Sequence, residues 1–195
     1  DMYPDGLSAH RTWVTVEGLS EALCGAPARR GPEHFRGVTT VVAKLFNIVE
    51  PDVAYFGQKD AQQAIIIQAM ARDLSMGTRV EICPTVREAD GLAMSSRNKY
   101  LSATERAVAP VIHRALSAAS EAAAAGERSP RTLVARVRSV LADEPLFRIE
   151  YVEMVGLSDL KPIEGEAIQG DALLAVAGRL GQTRLIDNVI VTVKD

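Results

Sequence analysis

Length, composition and charge place the 195-residue chain among globular proteins and exclude several other classes. Apolar residues make up 47% and charged residues 24%, proportions that exclude a disordered or fibrous chain. The 22 basic and 25 acidic residues give a net charge of −3, which argues against a nucleic-acid-binding protein. No apolar run approaches the ~20 residues of a membrane-spanning helix. Cys24 and Cys83 stand far apart, so we expect no disulfide framework, no zinc site and a reducing, cytoplasmic compartment.

The first half of the chain alternates helical and extended patterns. We predict, in chain order, a strand at 12–16 with Trp13 in the core, a short helix at 17–23, a loop at 25–33, a helix at 34–49, a buried strand at 53–56, a helix at 60–73 and a strand at 79–83. Apolar residues recur every three or four positions in the longer predicted helices. This order is typical of a doubly wound α/β sheet, which binds ligands beyond the carboxyl ends of its strands.

After residue 99 the pattern changes to helices followed by consecutive strands. Ser102 and Glu105 form a capping-box motif that predicts one long helix running toward Gly126, and Ser129 with Pro130 predicts the start of a second. Strands are predicted at 149–155, 172–177 and 184–193, the last two as an antiparallel hairpin around Gly178 and Gly181. We therefore predict two domains, 1–98 and 99–195, the second of α+β type.

A first group of residues that could bind phosphate lies at the turn between the strand at 53–56 and the next helix. Gly57 would let backbone amides approach an anion, Gln58 follows it, and Lys59 would add positive charge. Asp60 could accept from ribose hydroxyls or cap the helix, and Gln63 lies four residues after Lys59, on the same predicted helical face. A charged loop with a capping aspartate explains the same residues without any ligand, because no Walker or dinucleotide glycine pattern is present.

A second group, Met94-Ser95-Ser96-Arg97-Asn98, places two hydroxyls beside a guanidinium. Arginine offers a bidentate fork for phosphate, and a serine-rich turn before a helix is the alternative interpretation. No histidine has a partner at metal or catalytic-triad spacing, so we interpret the three of them as structural or surface residues, at positions 10, 34 and 113.

Several longer motifs make the chain resemble one enzyme family, pantothenate synthetase (pantoate–β-alanine ligase). The resemblance covers essentially the whole chain and lies in these segments: His34–Val38, Phe46–Val49, Pro51-Asp52, Phe56–Asp60, Gln62-Gln63, Pro84–Glu88, Asp90–Asn98 and Arg184-Leu185-Ile186-Asp187-Asn188. It implies an incomplete Rossmann-like parallel sheet of the nucleotidyltransferase superfamily with a smaller α+β C-terminal domain. It also implies a cytoplasmic homodimer that binds small molecules and neither nucleic acid nor membrane.

The reaction implied by the resemblance joins D-pantoate to β-alanine with ATP as a substrate and Mg²⁺ assisting. Pantoate would first form a pantoyl adenylate, and β-alanine would then displace AMP. The resemblance assigns Gly57, Gln58, Lys59 and Asp60 to the ATP site, with Lys59 on phosphate and Asp60 on ribose. It also assigns Gln63 to pantoate, the backbone of Val86 to adenine, and Met94, Ser95, Ser96 and Arg97 to a mobile loop that closes over the phosphates. Lys59, Ser95, Ser96 and Arg97 would be catalytic, and no residue is assigned as a metal ligand.

The chain departs from the family pattern near its start. It opens Asp1-Met2-Tyr3-Pro4 and contains no His-x-Gly-His motif, which in the family binds ATP phosphates. We expect that on the order of one hundred residues of the Rossmann-like domain are absent, that a complementing N-terminal segment is needed, and that the chain alone is inactive. The segment Arg30-Gly31-Pro32-Glu33-His34 is one residue longer than the family's Arg-Pro-Gly-His, so no role is assigned to Arg30.

Two other functions remain open at this point. One is a different adenylyl or cytidylyl transferase of the same superfamily, against which the Gln62-Gln63 pair and the C-terminal Arg-Leu-Ile-Asp-Asn argue. The other is a catalytically silent assembly module, which the absent histidine motif favours for this chain in isolation.

Overall fold

The computed structural model describes residues 2–192 and combines helices with one parallel and one antiparallel sheet. Its regular elements are α1 (Pro32–Val49), β1 (Val53–Gly57), α2 (Ala61–Asp73), β2 (Arg79–Cys83), α3 (Ala103–Val108), α4 (Val111–Ala124), α5 (Pro130–Ala142), β3 (Phe147–Gly156), β4 (Ala172–Leu180) and β5 (Thr183–Val191). The chain forms two compact units, Asp1–Cys83 and Pro84–Asp195. The division between the compact units falls between Cys83 and Pro84. The domain boundary at residue 99 stays a prediction.

The first unit is a β–α–β arrangement. Strands β1 and β2 pair in parallel, with Val53 opposite Arg79 and Gly57 opposite Cys83, and α2 is the connection between them. The side chains at the centre of this unit come from α1 and α2: Val42, Ala43, Phe46, Ile67, Met70 and Ala71. The predicted helices and strands from residue 34 to 83 are confirmed, with ends that differ by at most two residues.

The predicted strand at 12–16 is wrong, because this segment pairs with no strand in the described part of the chain. Its backbone instead bonds to side chains of α1. The Val14 N–H donates to Thr40 Oγ1 at 3.0 Å, and the Thr39 hydroxyl donates to the Val14 carbonyl at 2.6 Å. Threonine hydroxyls therefore satisfy backbone groups that a neighbouring strand would otherwise satisfy.

Three further expectations for the first unit need correction. The predicted helix at 17–23 is a pair of single 3₁₀ turns, Leu19–Glu21 and Leu23–Gly25. Trp13 is not a core residue: it is 36% exposed, with the Arg36 guanidinium over its ring. Strand β1 is not buried on both faces, since Tyr55 is 71% exposed.

The second unit packs α4 and α5 with a three-stranded antiparallel sheet in the order β3-β4-β5. The central strand β4 is buried along almost its whole length. Apolar residues at helical spacing on α5, namely Leu133, Val137 and Leu141, are fully buried in this core. The predicted capping box at Ser102 and Glu105 is confirmed, as is the Ser129 cap, which accepts from the Thr132 N–H.

Two predictions for the second unit are wrong in detail. The single long helix is broken into α3 and α4 at Pro110, which lacks an N–H and cannot continue the hydrogen-bond ladder. Gly178 lies inside β4, paired with Leu185, and not in the hairpin turn. Glycine is needed there because the Phe147 ring occupies the space that a Cβ would take. The turn itself is at Gly181, whose φ is +53°. Of the predicted strand 184–193, residue 193 lies outside the described residues. Within residues 2–192, no helix is both long and apolar enough to cross a lipid bilayer.

Candidate functional site

The turn after β1 has the residues and the open space that an anion would need. Residues Gln58–Asp60 form one 3₁₀ turn between β1 and α2. Gly57 has an ordinary φ of −76°, and a Cβ added there would meet no atom within 4 Å. The backbone conformation does not itself require glycine here. The missing side chain would, however, let a ligand approach the backbone closely. The Lys59 side chain is mostly buried, and its Nζ lies 3.4 Å from Asp60 Oδ2.

Asp60 occupies the N-cap position of α2 without capping it. Its side chain makes no cap hydrogen bond, so the interpretation of Asp60 as a simple capping residue is wrong. The amino end of α2 therefore keeps N–H groups that can attract a negative charge. The expected sharing of one helical face by Lys59 and Gln63 is also wrong, since Lys59 precedes α2 and lies in the 3₁₀ turn.

The two neighbouring glutamines of α2 have opposite environments. Gln62 is buried, and its amide is used for structure: Oε1 accepts from the Cys24 N–H at 3.0 Å, and Nε2 donates to the carbonyls of Leu19 at 3.0 Å and Ala22 at 2.6 Å. Gln63 is half-buried, and its amide has no hydrogen-bond partner among the described residues. Gln63 is therefore the one of the pair whose amide can bind a ligand.

In the second unit, residues Val86–Met94 form a short hairpin, called here the 86–94 hairpin. The Met94 N–H donates to the Val86 carbonyl at 2.9 Å, and the Glu88 N–H donates to the Leu92 carbonyl at 2.8 Å. At the two ends of the hairpin the side chains are exposed, Val86 by 67% and Met94 by 52%. The structure thus brings together two residues that were assigned to nucleotide binding, and the Val86 carbonyl keeps a second lone pair for a ligand.

The hydroxyl-rich segment after the hairpin opens a 3₁₀ helix, Ser96–Tyr100. Ser95 caps it, with its Oγ accepting from the Arg97 N–H at 3.2 Å, so the interpretation as a serine-rich turn is correct for this residue. Ser96 is exposed, and the half-buried Arg97 guanidinium has no ion-pair partner within residues 2–192. A serine hydroxyl and a guanidinium on one short turn can both donate to a phosphate.

The ion pairs of the second unit were not predicted from the sequence, and two of them involve the 86–94 hairpin. Arg106 donates to Asp90, and this bond holds the pKa of the Asp90 carboxyl below its usual value while raising the pKa of Arg106. The buried Asp187 of β5 accepts from Arg87 of the 86–94 hairpin. For Asp187 the available signal was an acidic residue within a predicted strand, which needs a partner when it is buried.

Two of the histidines contact neighbouring side chains of the first unit. His10 lies edge-on to the rings of Tyr3 and Trp13, and His34 Nε2 lies 2.9 Å from Arg30 Nη1. Residues 2–192 contain no group of three or more histidine, cysteine or carboxylate side chains that could hold a metal ion.

Comparison with known proteins identifies a family. The profile of the Pantoate-beta-alanine ligase family matches residues 1–190. The pantothenate synthetase of Pelotomaculum thermopropionicum is 54% identical over 190 residues, which are 97% of this chain and 64% of that protein. The pantothenate synthetase of Moorella thermoacetica is 52% identical over 195 residues, which are 100% of this chain and 66% of that protein.

Solved structures agree with this result. The crystal structure of pantothenate synthetase from Thermus thermophilus matches with a TM-score of 0.89 at 45% identity. The match includes 98% of this chain and 66% of that protein. A Francisella tularensis pantoate–β-alanine ligase, solved in complex with β,γ-ATP and β-alanine, has a TM-score of 0.67 at 28% identity, with 97% of this chain covering 61% of it. The expected nucleotidyltransferase-type α/β fold is therefore confirmed, and the chain spans slightly less than two thirds of the length of these relatives.

Proposed function

The chain belongs to the pantoate–β-alanine ligase family, and on that premise we propose that the protein condenses D-pantoate with β-alanine in an ATP-dependent reaction. The observation that carries the proposal is the 54% identity to a pantothenate synthetase over 97% of the chain. Supporting geometry comes from the open turn at Gly57 and Lys59 and from the exposed ends of the 86–94 hairpin. The Francisella tularensis relative was crystallised with a form of ATP and with β-alanine, which agrees with two of the three substrates.

The reaction proceeds in two steps under this proposal. A carboxylate oxygen of pantoate attacks the α-phosphorus of ATP, forming the pantoyl adenylate while pyrophosphate leaves. The amine of β-alanine then attacks the activated carbonyl carbon, forming the amide bond, releasing AMP and losing a proton. In both steps two substrates must be held in line, and the negative charge that develops must be stabilised. The protein can do this by orienting the substrates and by placing positively charged side chains near the phosphates.

Residues of the first unit would hold the phosphates, the ribose and pantoate. Lys59 is a mostly buried cation at the carboxyl end of a parallel strand, where ligands of α/β sheets bind. Asp60, which makes no cap bond, would accept from the ribose hydroxyls. Gln63 can donate to a carboxylate and accept from a hydroxyl at once, which suits a hydroxy acid such as pantoate.

Residues of the second unit would bind the adenine and the phosphates. The Val86 backbone would hydrogen-bond the adenine ring, and Met94, Ser95, Ser96 and Arg97 would form the loop that closes over the phosphates. The Arg97 guanidinium, which has no ion-pair partner among the described residues, supplies the charge for that role. Mg²⁺ fits as an ion that arrives bound to ATP, since proteins usually hold it with few carboxylates and with substrate phosphates as the other ligands.

The proposal extends to the rest of the functional protein. Because the chain spans only 64–66% of the two named relatives, we expect activity to require an N-terminal segment of the family type, with its His-x-Gly-His motif, and the chain alone to be inactive. A cytoplasmic homodimer completes the proposal, and sedimentation velocity would test the dimer.

Substitutions in the complete gene product that contains this chain test the proposed roles. Pantoate-dependent exchange of pyrophosphate into ATP measures adenylate formation, and Lys59→Ala should lower its rate by two orders of magnitude or more. Gln63→Leu should weaken pantoate binding by about one to two decades, because a hydrogen bond to a charged group contributes ~1.5–3 kcal/mol. Gln68→Leu is the matched control, since Gln68 lies on the same helix but is exposed and donates to the Val80 carbonyl.

Two results would contradict the proposal. If the unsubstituted protein catalyses no exchange with pantoate, the function itself is wrong. If calorimetric titration shows Gln63→Leu weakening a non-hydrolysable ATP analogue as much as pantoate, Gln63 belongs to the nucleotide site and its assignment to pantoate is wrong.

A further inference from the structure

Asp187 binds Arg87 in a two-pronged ion pair. Arg87 Nη1 donates to Asp187 Oδ2 at 2.6 Å, and Arg87 Nη2 donates to Asp187 Oδ1 at 3.1 Å. Asp187 Oδ1 also accepts from the Asn188 N–H at 2.8 Å, so both carboxylate oxygens have donors. The Asp187 side chain is only 3% exposed, and a buried carboxylate needs such a complete set of partners.

Arg87 also connects β5 to the turn of the 86–94 hairpin. Its Nη1 donates a further bond to the Gly91 carbonyl at 3.1 Å, while its own backbone forms a bridge with Ala93. The Gly91 backbone has a φ of +90°, and the His113 ring lies where a Cβ of residue 91 would be. The Arg87 guanidinium therefore connects Asp187 of β5 to the turn of the 86–94 hairpin.

The burial pattern of the hairpin shows what this anchor leaves accessible. Leu92 and Ala93, near the anchored side, are each 4% exposed, whereas Val86 and Met94 at the two ends are mostly exposed. The hairpin is thus fixed by the burial of Leu92 and Ala93 and by the ion pair, while its two ends remain open to a ligand. An exposed apolar side chain next to a free carbonyl lone pair is a suitable surface for a flat aromatic base.

We propose that Asp187 is a positioning residue for ATP binding, acting through Arg87 to hold Val86 and Met94 at the separation that the nucleotide requires. This inference rests on the function proposed above, because it concerns the same nucleotide site. Asp187 itself is buried and bonded on both oxygens, so its effect on the ligand is exerted through the hairpin.

The substitution Asp187→Asn tests the inference, since it keeps the size of the side chain and removes the charge and one of the two acceptors. We expect the Kd of a non-hydrolysable ATP analogue to rise about tenfold or more, because small displacements of binding groups are costly. The Kd of pantoate, measured separately by titration calorimetry, should stay within about twofold. Glu150→Gln is the matched control: Glu150 is also a partly buried carboxylate paired with arginines in the second unit, but it lies outside the hairpin, and both Kd values should stay unchanged.

A second variant keeps the inference testable if Asp187→Asn does not fold, as judged by circular dichroism. Arg87→Lys retains the positive charge but replaces the planar fork, so it should weaken the ATP analogue in the same selective way. The double variant Asp187→Asn with Arg87→Lys should bind the analogue about as weakly as either single variant, because both remove one connection.

The outcomes separate this inference from the function on which it rests. If the unsubstituted complete gene product does not bind the ATP analogue, the proposed function fails. If it binds the analogue and the folded Asp187 and Arg87 variants bind it equally well, or lose pantoate binding to the same extent, the positioning role is refuted while the function stands.

Discussion

Gln62→Leu should destabilise the first unit without touching a ligand. The Gln62 amide bonds to the backbone of Leu19, Ala22 and Cys24, roughly forty residues earlier in the chain. Leucine has nearly the same size but can make none of these bonds. Two carbonyls and one N–H of the 3₁₀ segment before α1 would therefore lose their partners.

The expected loss follows from the count of bonds. A typical hydrogen bond contributes about 1 kcal/mol net, so three bonds contribute about 3 kcal/mol. The larger apolar surface of a buried leucine offsets about 1 kcal/mol of this. We expect the free energy of unfolding to fall by about 2 kcal/mol.

Urea unfolding followed by tryptophan fluorescence measures this effect. Trp13 is the single tryptophan of the sequence and lies in the same unit as Gln62, so its signal reports the relevant transition. Gln63→Leu is the control, and it should change the unfolding free energy by less than about 0.5 kcal/mol because its amide has no bonds to lose among the described residues. A Gln62→Leu midpoint equal to that of the unsubstituted protein, at an unchanged m-value, would refute the structural role of Gln62.

Two further predictions concern the second unit. Ser102→Ala removes the capping box of α3 and should lower the free energy of unfolding by about 1 kcal/mol, as measured by thermal unfolding. Ser96→Ala is the control, because Ser96 caps no helix, and an equally large loss from it would contradict this explanation. Glu150→Gln tests a titrating ion pair: burial alone would raise the pKa of Glu150, but bonds from Arg184 and Arg179 outweigh it and hold the pKa below the usual 4.5. The unsubstituted protein should have a free energy of unfolding about 1 kcal/mol above that of Glu150→Gln at pH values above 4.5, and this difference should disappear as the pH falls through the lowered pKa. A difference that stays constant down to pH 2 would exclude this explanation.

Sequence patterns predicted the elements in which burial decides the structure. Helices α1, α2 and α5 and strand β2 combine a clear apolar period with turn residues at their ends, and all four have the predicted type. The segment 12–16 has an equally clear pattern, yet its partners are threonine hydroxyls of α1, and no pattern within the segment distinguishes these from a neighbouring strand. The break at Pro110 was missed because apolar residues continue on both sides of it.

The candidate site was predictable where residue type alone carries the chemistry. Glycine and lysine at a strand-to-helix turn, and serines beside an arginine, are recognisable from local sequence. The different environments of Gln62 and Gln63 are not, because they depend on backbone groups about forty residues away. The partnership of Arg87 and Asp187 spans a still longer separation, and its one local signal was an acidic residue within a predicted strand.

The separation of Arg87 and Asp187 also orders the events of folding. Closing a loop of 100 residues costs roughly 4 kcal/mol of chain entropy, which disfavours this bond until other contacts have brought its two ends together. We therefore expect the bond to form after β5 has paired with β4 through the tight turn at Gly181. Substitution of Asp187 should then accelerate unfolding while leaving the folding rate unchanged.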